Sequence, residues 1–295
     1  MRVAGLQMDL AWEDPRENFR RAEAMARVAM DPGQVDQGVG GDASESMGAE
    51  ERAHPPDLLV LPEMFATGFS MEARRMAEFA EETRTFLRGL ARELSVHVLA
   101  GYAEPTGGRP ANACSVFDAG GEEILHFRKL HPFSLAREDE YYQPGEALVT
   151  GRVAGASVTP LICYDLRFPE PFRAAARDTD LFCVLANWPA KRSHAWSTLL
   201  KARAIENQAF VLGVNRVGMG GGEFHSGDSA FLDPLGLEAG AMRPFSMARE
   251  GPPGAGILHG QVDPLEVREV RERFGFLADA RPDLYLRLSE ARGET

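Results

Sequence analysis

ASVTPLICYDLRFPE, residues 156–170, decides how this chain is read. An apolar, β-prone run ends at Cys163 and gives way at once to a polar burst. A short run that is apolar throughout suits a strand covered on both faces. In α/β sheets, ligands gather beyond the carboxyl ends of such strands. Two other stretches repeat the design. DLLVLPE (57–63) closes on Glu63 with Met64 and Phe65 ahead, and EEILHFRKL (122–130) carries Lys129 near its end. Each signal is weak alone. A free cysteine is more often a small buried hydrophobe, and Cys114 and Cys183, set inside apolar strand patterns, keep that reading. A lone strand-end glutamate is usually solvated, and a lone lysine usually sits on the surface. Strand periodicity sends Arg128 and Lys129 to opposite faces, so one can face a site and the other water. Together the three residues make chemical sense. A thiol near its free pKa of about 8.5 is a poor nucleophile and needs a base or a neighbouring cation. Glu63 supplies the first and Lys129 the second, and Lys129 also suits an oxyanion formed when sulfur attacks a carbonyl.

Working outward, strands and helices alternate. Residues 2–8, 95–104, 112–118, 180–188, 209–217, 227–233 and 256–263 read as strands. Ala119-Gly120-Gly121 marks a hairpin between 112–118 and 122–130. Helices are expected over 72–94, 169–178 and 194–208. Asp14-Pro15 and Asp263-Pro264 supply a cap followed by the residue best suited to a first helical position. Phe19, Ala22, Ala26 and Ala29 then form one apolar face. Several strand pairs follow one another with no helix between them, which favours a layered α/β sandwich over a simple doubly wound sheet. Residues 31–56 are rich in Gly, Asp, Glu and Ser, and read as a flexible surface insertion. GMGGG (218–222) lacks both P-loop lysine and Rossmann spacing, and reads as a turn.

The chain has 295 residues, 32 of them Lys or Arg and 44 Asp or Glu, for a net charge of −12. That balance disfavours nucleic acid or an anionic membrane as partner, since both require a positive field. Three cysteines without a CxxC pair argue against a disulfide framework, and the seven histidines lack HExxH-like spacing for a metal site. No apolar run reaches 18 residues. Asp9 and Glu13 fall where a signal peptide would be apolar, so the cytoplasm is the expected compartment. Without repeats or a long linker, one domain is expected over 1–275, with a tail at 276–295.

The blocks LPEMFATGF (61–69), FRKLHPF (127–133), LICYDLRFPE (161–170), LANWPAKRSHAW (185–196) and LLKARAIENQAFVLGVNRVG (199–218) come in the order seen in the nitrilase superfamily of carbon–nitrogen hydrolases, which this chain resembles. The wording CYDLRFPE, NWPAKR and ARAIENQ is most similar to the ω-amidase branch. The resemblance implies a four-layer αββα sandwich, a Glu63-Lys129-Cys163 triad and a cysteine thioester. It implies hydrolysis of the terminal amide of small dicarboxylate monoamides such as 2-oxoglutaramate, with no cofactor and a homodimer or larger assembly. Other activities of the superfamily (nitrilase, N-carbamoyl hydrolase, deaminated-glutathione amidase) share the triad, and an inactive assembly protein is a further alternative. The family's second glutamate falls at Glu138, with Glu140 as the alternative. The backbone N–H of Tyr164 is the implied oxyanion donor.

An anionic substrate needs a cation, and Arg pairs bidentately with carboxylate. Arg192 is the first candidate and Lys191 the second. Phe69, Phe133, Tyr142 and Trp188 are candidate pocket walls, though each is equally suited to packing. His131, a neighbour of Lys129, is equally suited to touching the site and to a structural hydrogen bond, and Arg167 and Glu206 are expected to be buried or half-buried ionic groups shaping the site.

Overall fold

The computed structural model describes residues 1–31, 54–245 and 254–293. In chain order the elements are β1 (Arg2–Gln7), α1 (Pro15–Met30), β2 (Leu58–Val60), α2 (Ala73–Ala77), α3 (Ala80–Leu94), β3 (His97–Glu104), β4 (Ala111–Phe117), β5 (Glu123–Arg128), α4 (Glu138–Tyr141), β6 (Gly151–Val153), β7 (Ala156–Ile162), α5 (Pro169–Ala175), β8 (Leu181–Ala186), α6 (Ser193–Asn207), β9 (Phe210–Asn215), β10 (Val217–Gly220), β11 (Glu223–Ser226), β12 (Ala230–Leu232), β13 (Ala241–Pro244), β14 (Gly256–Gln261), α7 (Pro264–Arg273), α8 (Phe276–Asp279) and α9 (Pro282–Gly293).

Two sheets form the centre. One runs β13-β14-β1-β2-β3-β4-β5 and the other β12-β9-β8-β7-β6. Their inner faces share one core: Leu99, Cys114, Val116 and Phe127 of the first meet Val158, Leu161, Val184 and Leu212 of the second. Phe172, Trp196, Leu200 and Ala204, from α5 and α6, join the same core against the second sheet. Helices α1 and α3 cover the outer face of the first through Ala22, Met25, Leu87 and Leu90. The result is the four-layer αββα sandwich, held chiefly by apolar burial worth about 1.5–3 kcal/mol per fully buried large side chain. The caps expected from the sequence are in place: Asp14 accepts from Glu17 N at 3.1 Å and Asp263 from Leu265 N at 2.9 Å.

Strand direction places the chemistry. β1, β2 and β3 are mutually parallel, as are β7, β8 and β9. β4 is antiparallel to β3 and β5 to β4, so β5 runs with β2 and β3. Glu63 and Lys129 therefore leave the first sheet at one edge, the carboxyl edge, where α/β sheets collect ligands.

Several boundaries differ from the expectation. The helix expected over 72–94 is broken at Glu78–Phe79. Its first part packs Ala73 and Met76 with Met64 and Tyr142, while its second packs Leu87 and Leu90 towards α1, and one straight helix cannot face both. The strand expected over 156–165 stops at Ile162, because Cys163 adopts φ 46°. GMGGG is not simply a turn: Val217–Gly220 is β10 of a hairpin with β11. Residues 32–53, most of the expected insertion, lie outside the described residues. The expected tail holds α8 and α9, and Arg177 donates to the carbonyl of Leu277 at 2.6 Å.

The apolar run Leu58–Leu61 within 57–63 pairs in register through Leu58–Val60, and Leu61 N still donates to Leu99 O at 2.9 Å before the chain turns away. Pro62 has no N–H to continue the ladder, and Met64 turns at φ 42°. Gly101 on β3 makes room for that turn. A Cβ there would lie 2.8 Å from Met64 N and 2.9 Å from Glu63 Cα. Gly101→Ala is expected to lower unfolding free energy by about 1–3 kcal/mol, read by urea denaturation. An unchanged midpoint would show that this close approach places no demand on the residue.

Candidate active site

Lys129 is the first residue after β5, and its ammonium is buried between two carboxylates. Nζ donates to Glu63 Oε1 at 3.1 Å and to Glu138 Oε2 at 2.8 Å, and lies 5.0 Å from the centroid of the Phe69 ring. Burial alone would lower the lysine pKa, but Glu138 and Glu63 outweigh it and hold the group protonated well above its ordinary range. Arg128, one residue earlier, turns away to pair with Glu104 at 2.6 Å.

Both carboxylates are fully buried, so each requires several donors. Glu63 Oε1 also accepts from Asn112 Nδ2 at 2.7 Å, and its Oε2 accepts from the backbone N–H of Asn187 at 2.8 Å. The Asn187 amide reaches back to the carbonyl of Glu63 at 2.6 Å. Glu138 opens α4 and accepts from Asn112 Nδ2 at 2.9 Å and from Phe133 N at 2.5 Å. Burial raises the Glu138 pKa, with Lys129 opposing and Glu63 reinforcing the shift. Glu140, the alternative second glutamate, faces outward and pairs with Arg137 at 2.6 Å.

Cys163 begins a one-turn 3-10 helix, Cys163–Arg167, directly after β7. Its left-handed φ of 46° costs a non-glycine residue about 1–2 kcal/mol, and such strain gathers at functional sites. Glu63, Lys129 and Glu138 all act electrostatically on the thiol. Burial, then the charge of Glu63, push its pKa up against the pull of Lys129.

Cys163 opens onto a cavity of about 560 Å³. Phe69, Phe133, Tyr164, Arg167, Asn187, Trp188, Lys191 and Arg192 are among its walls. Arg167 lies over Trp188 at 4.9 Å and Arg192 over Phe133 at 5.1 Å. Among the described residues neither guanidinium makes an ion pair. Lys191, in contrast, is paired with Glu223. Trp188 is fixed by Asn215 Oδ1, which accepts its backbone N–H at 2.7 Å.

Tyr142 is a correction. It lies outside the cavity, fully buried, with its hydroxyl donating to Ser70 O at 2.7 Å. It follows α4, whose buried Glu138 draws the next turn inward, and its ring packs among Met64, Met76 and Ala103. Glu206 is also remote: it accepts from Arg203, whose guanidinium donates to Leu166 O at 2.8 Å. His131 does not line the cavity and instead meets Asp165. Asn112, Asn187 and Asp165 are the polar residues that sequence reasoning missed. Their only signal is a position at a strand end, Asn112 within NACSVFD and Asn187 in LANW. Among the described residues no cluster of three or more His, Cys, Asp or Glu side chains could hold a metal ion.

Replacing Lys129 by Met would leave two buried carboxylates with no cation between them. Lys129→Met is expected to cost about 3–5 kcal/mol of stability at neutral pH. Glu138, whose pKa burial already raises, then loses the opposing pull of Lys129, so stability returns as pH falls and is lost as pH rises through its folded-state value. Urea unfolding at pH 5 and pH 7.5 reads both effects, and equal losses at the two pH values would contradict this account.

Comparison with known proteins agrees with the fold and the sequence blocks. The family described as carbon-nitrogen hydrolase matches residues 2–272. The chain is 36% identical over 226 residues to omega-amidase YafV of Escherichia coli K12, covering 76% of this chain and 84% of that protein. It is 30% identical over 289 residues to the 2-oxoglutaramate amidase of Bacillus subtilis, covering 96% of this chain and 98% of the relative. Among solved structures, XC1258 of Xanthomonas campestris, a CN-hydrolase superfamily protein with an arsenic adduct in its active site, superposes with a TM-score of 0.77 at 28% identity, covering 95% of this chain and 97% of that one. On the family match and these identities, the chain belongs to the carbon-nitrogen hydrolase family.

Proposed function

We propose that this chain is an amidase of the ω-amidase type, hydrolysing the terminal amide of a small dicarboxylate monoamide through a thioester on Cys163. One observation carries the reading: the buried Glu63 carboxylate is bonded to the Lys129 ammonium and adjoins the Cys163 thiol at the cavity wall. Relatives named omega-amidase and 2-oxoglutaramate amidase support the choice of substrate class.

The chemistry follows from the charges. As sulfur attacks the amide carbon, the thiol proton passes to Glu63. Lys129 and the backbone N–H of Tyr164 receive the oxyanion that forms. The carbon–nitrogen bond breaks as Glu63 returns its proton to the departing ammonia, leaving the acyl group on sulfur. Water then loses a proton to Glu63 and attacks the thioester. The carbon–sulfur bond breaks, the acid departs, and Glu63 reprotonates the thiolate. Glu138 stays out of the proton path: its bond to Lys129 keeps the ammonium charged and in place. Arg192 and Arg167 are suited to the substrate carboxylate, because each lies on an aromatic face without a carboxylate partner among the described residues. Lys191, neutralised by Glu223, is the weaker candidate.

The test is ammonia release from 2-oxoglutaramate and succinamate, compared with a nitrile, an N-carbamoyl amine and deaminated glutathione. The ω-amides are expected to turn over fastest, and Cys163→Ala to abolish release while its circular dichroism matches the parent. Normal turnover by that variant would sink the mechanism, and a nitrile or carbamoyl preference would sink the substrate class. Arg192→Gln should raise KM for 2-oxoglutaramate by roughly 10–100-fold, the loss of one charge-assisted hydrogen bond of about 1.5–3 kcal/mol, with less effect on kcat. An unaltered KM would remove Arg192 from substrate binding.

A further inference from the structure

The polar groups beside the cavity come from separate segments, joined in pairs by buried side chains. Asn112 spans Glu63 and Glu138. Asn187 ties the turn carrying Glu63 to the end of β8. The third join, between the segment carrying Lys129 and the turn carrying Cys163, runs through Asp165. Its carboxylate is fully buried. Oδ2 accepts from the backbone N–H of Ile162 at 3.1 Å, immediately before Cys163. Oδ1 accepts from the backbone N–H of His131 at 2.9 Å and lies 2.8 Å from His131 Nδ1. A carboxylate only accepts, so Nδ1 carries the proton. The His131 ring lies flat on Phe168, 3.8 Å between centroids and 12° between planes. Neither Asp165 nor His131 lines the cavity.

We propose that Asp165 and His131 form a positioning pair that sets the placement of Lys129 relative to Cys163, and through it the reactivity of the thiol. This rests on the reading of Cys163 as nucleophile. The geometry gives the pair a specific task. Cys163 is held at φ 46°, a conformation its neighbours must enforce. The residue before it is gripped by Asp165 Oδ2, and the turn after it by Arg203, which donates to Leu166 O at 2.8 Å. The backbone of Lys129 is fixed by Asn112 O and Gly145 N at 2.8 and 2.7 Å, but both contacts lie within the first sheet's end of the chain. Among the described residues, the clamp of Asp165 on His131 is the hydrogen-bonded link that reaches from there to the nucleophile turn. Loosening it shifts a cation and a sulfur relative to one another, and displacement by about 1 Å costs on the order of 10²-fold in rate. The aromatic wall at Trp188 hangs from Asn215 instead, and Phe133, beneath Arg192, is held by its own N–H bond to Glu138, so substrate affinity should be spared.

The experiment compares His131→Phe, which keeps a ring against Phe168 but loses the Nδ1–H, with His131→Asn, whose amide restores a donor near that position. Two readouts are taken: kcat and KM for 2-oxoglutaramate, and the rate at which iodoacetamide alkylates Cys163 without substrate, followed by peptide mass spectrometry. His131→Phe is expected to lower kcat by roughly 10–100-fold at constant KM and to slow alkylation, and His131→Asn to recover most of both. Parent-like rates in His131→Phe would overturn the proposal. Equal losses in the two variants would also overturn it, since they would assign the effect to ring packing. The alkylation arm needs no substrate, so it separates this proposal from a wrong substrate class. Failure of the nucleophile assignment would show instead as turnover surviving in Cys163→Ala.

Discussion

The buried ammonium of Lys129 is the group around which the site is organised. Two carboxylates cannot stay ionised out of water without a cation between them, and a lone ammonium cannot stay charged there without an anion. Glu63, Lys129 and Glu138 solve the problem jointly, and the amide of Asn112 and the backbone N–H groups of Asn187 and Phe133 satisfy the remaining oxygen valences. Such a cluster contributes little net stability. In the proposed mechanism its value is that the charges are set before the substrate arrives, and no solvent need reorganise when an oxyanion develops beside them.

Backbone strain also reaches this site. Met64 and Cys163 both adopt left-handed φ angles, as does Glu13 at the cavity wall. The turns at Met64 and Cys163 take the chain out of the paths of β2 and β7, beside Glu63 and at Cys163 itself. The layers behind absorb the cost. The two sheets are closely packed on each other, and Gly101 lets the turn at Glu63 settle directly on β3. The rigid sandwich and the strained rim are therefore parts of one design, in which burial energy from the layers holds unfavourable conformations at their edge.

The cavity divides the work. Its wall holds the thiol of Cys163, with the Glu63 carboxylate and the Lys129 ammonium buried behind it. Its sides hold arginines laid on aromatic faces, Arg167 on Trp188 and Arg192 on Phe133. A guanidinium so supported keeps its donor fork free for a planar anion while its flat face is covered. Under the proposed function, these forks are what would meet the carboxylate end of the substrate.

What the sequence determined by itself was the architecture and the strand-end positions of the polar groups. Apolar runs of strand length, such as 156–162, must be covered on both faces. Residues such as Glu63, Lys129 and Cys163, placed where those runs stop, have to emerge at an edge. Local pattern carries that information because burial and backbone pairing act along the chain. Tertiary structure decided the rest. It separated Glu138 from Glu140, two residues apart in one acidic stretch, by turning one inward to Lys129 and the other out to Arg137. It took Tyr142 out of the cavity and committed Lys191 to Glu223. It also recruited Asn112, Asn187 and Asp165, whose partners lie 26 to 124 residues away for the two asparagines and 34 for the bond from Asp165 to His131. The reason is that a hydrogen bond is specified by distance and direction in space, and no local periodicity encodes which distant group will stand there once the sheets have packed.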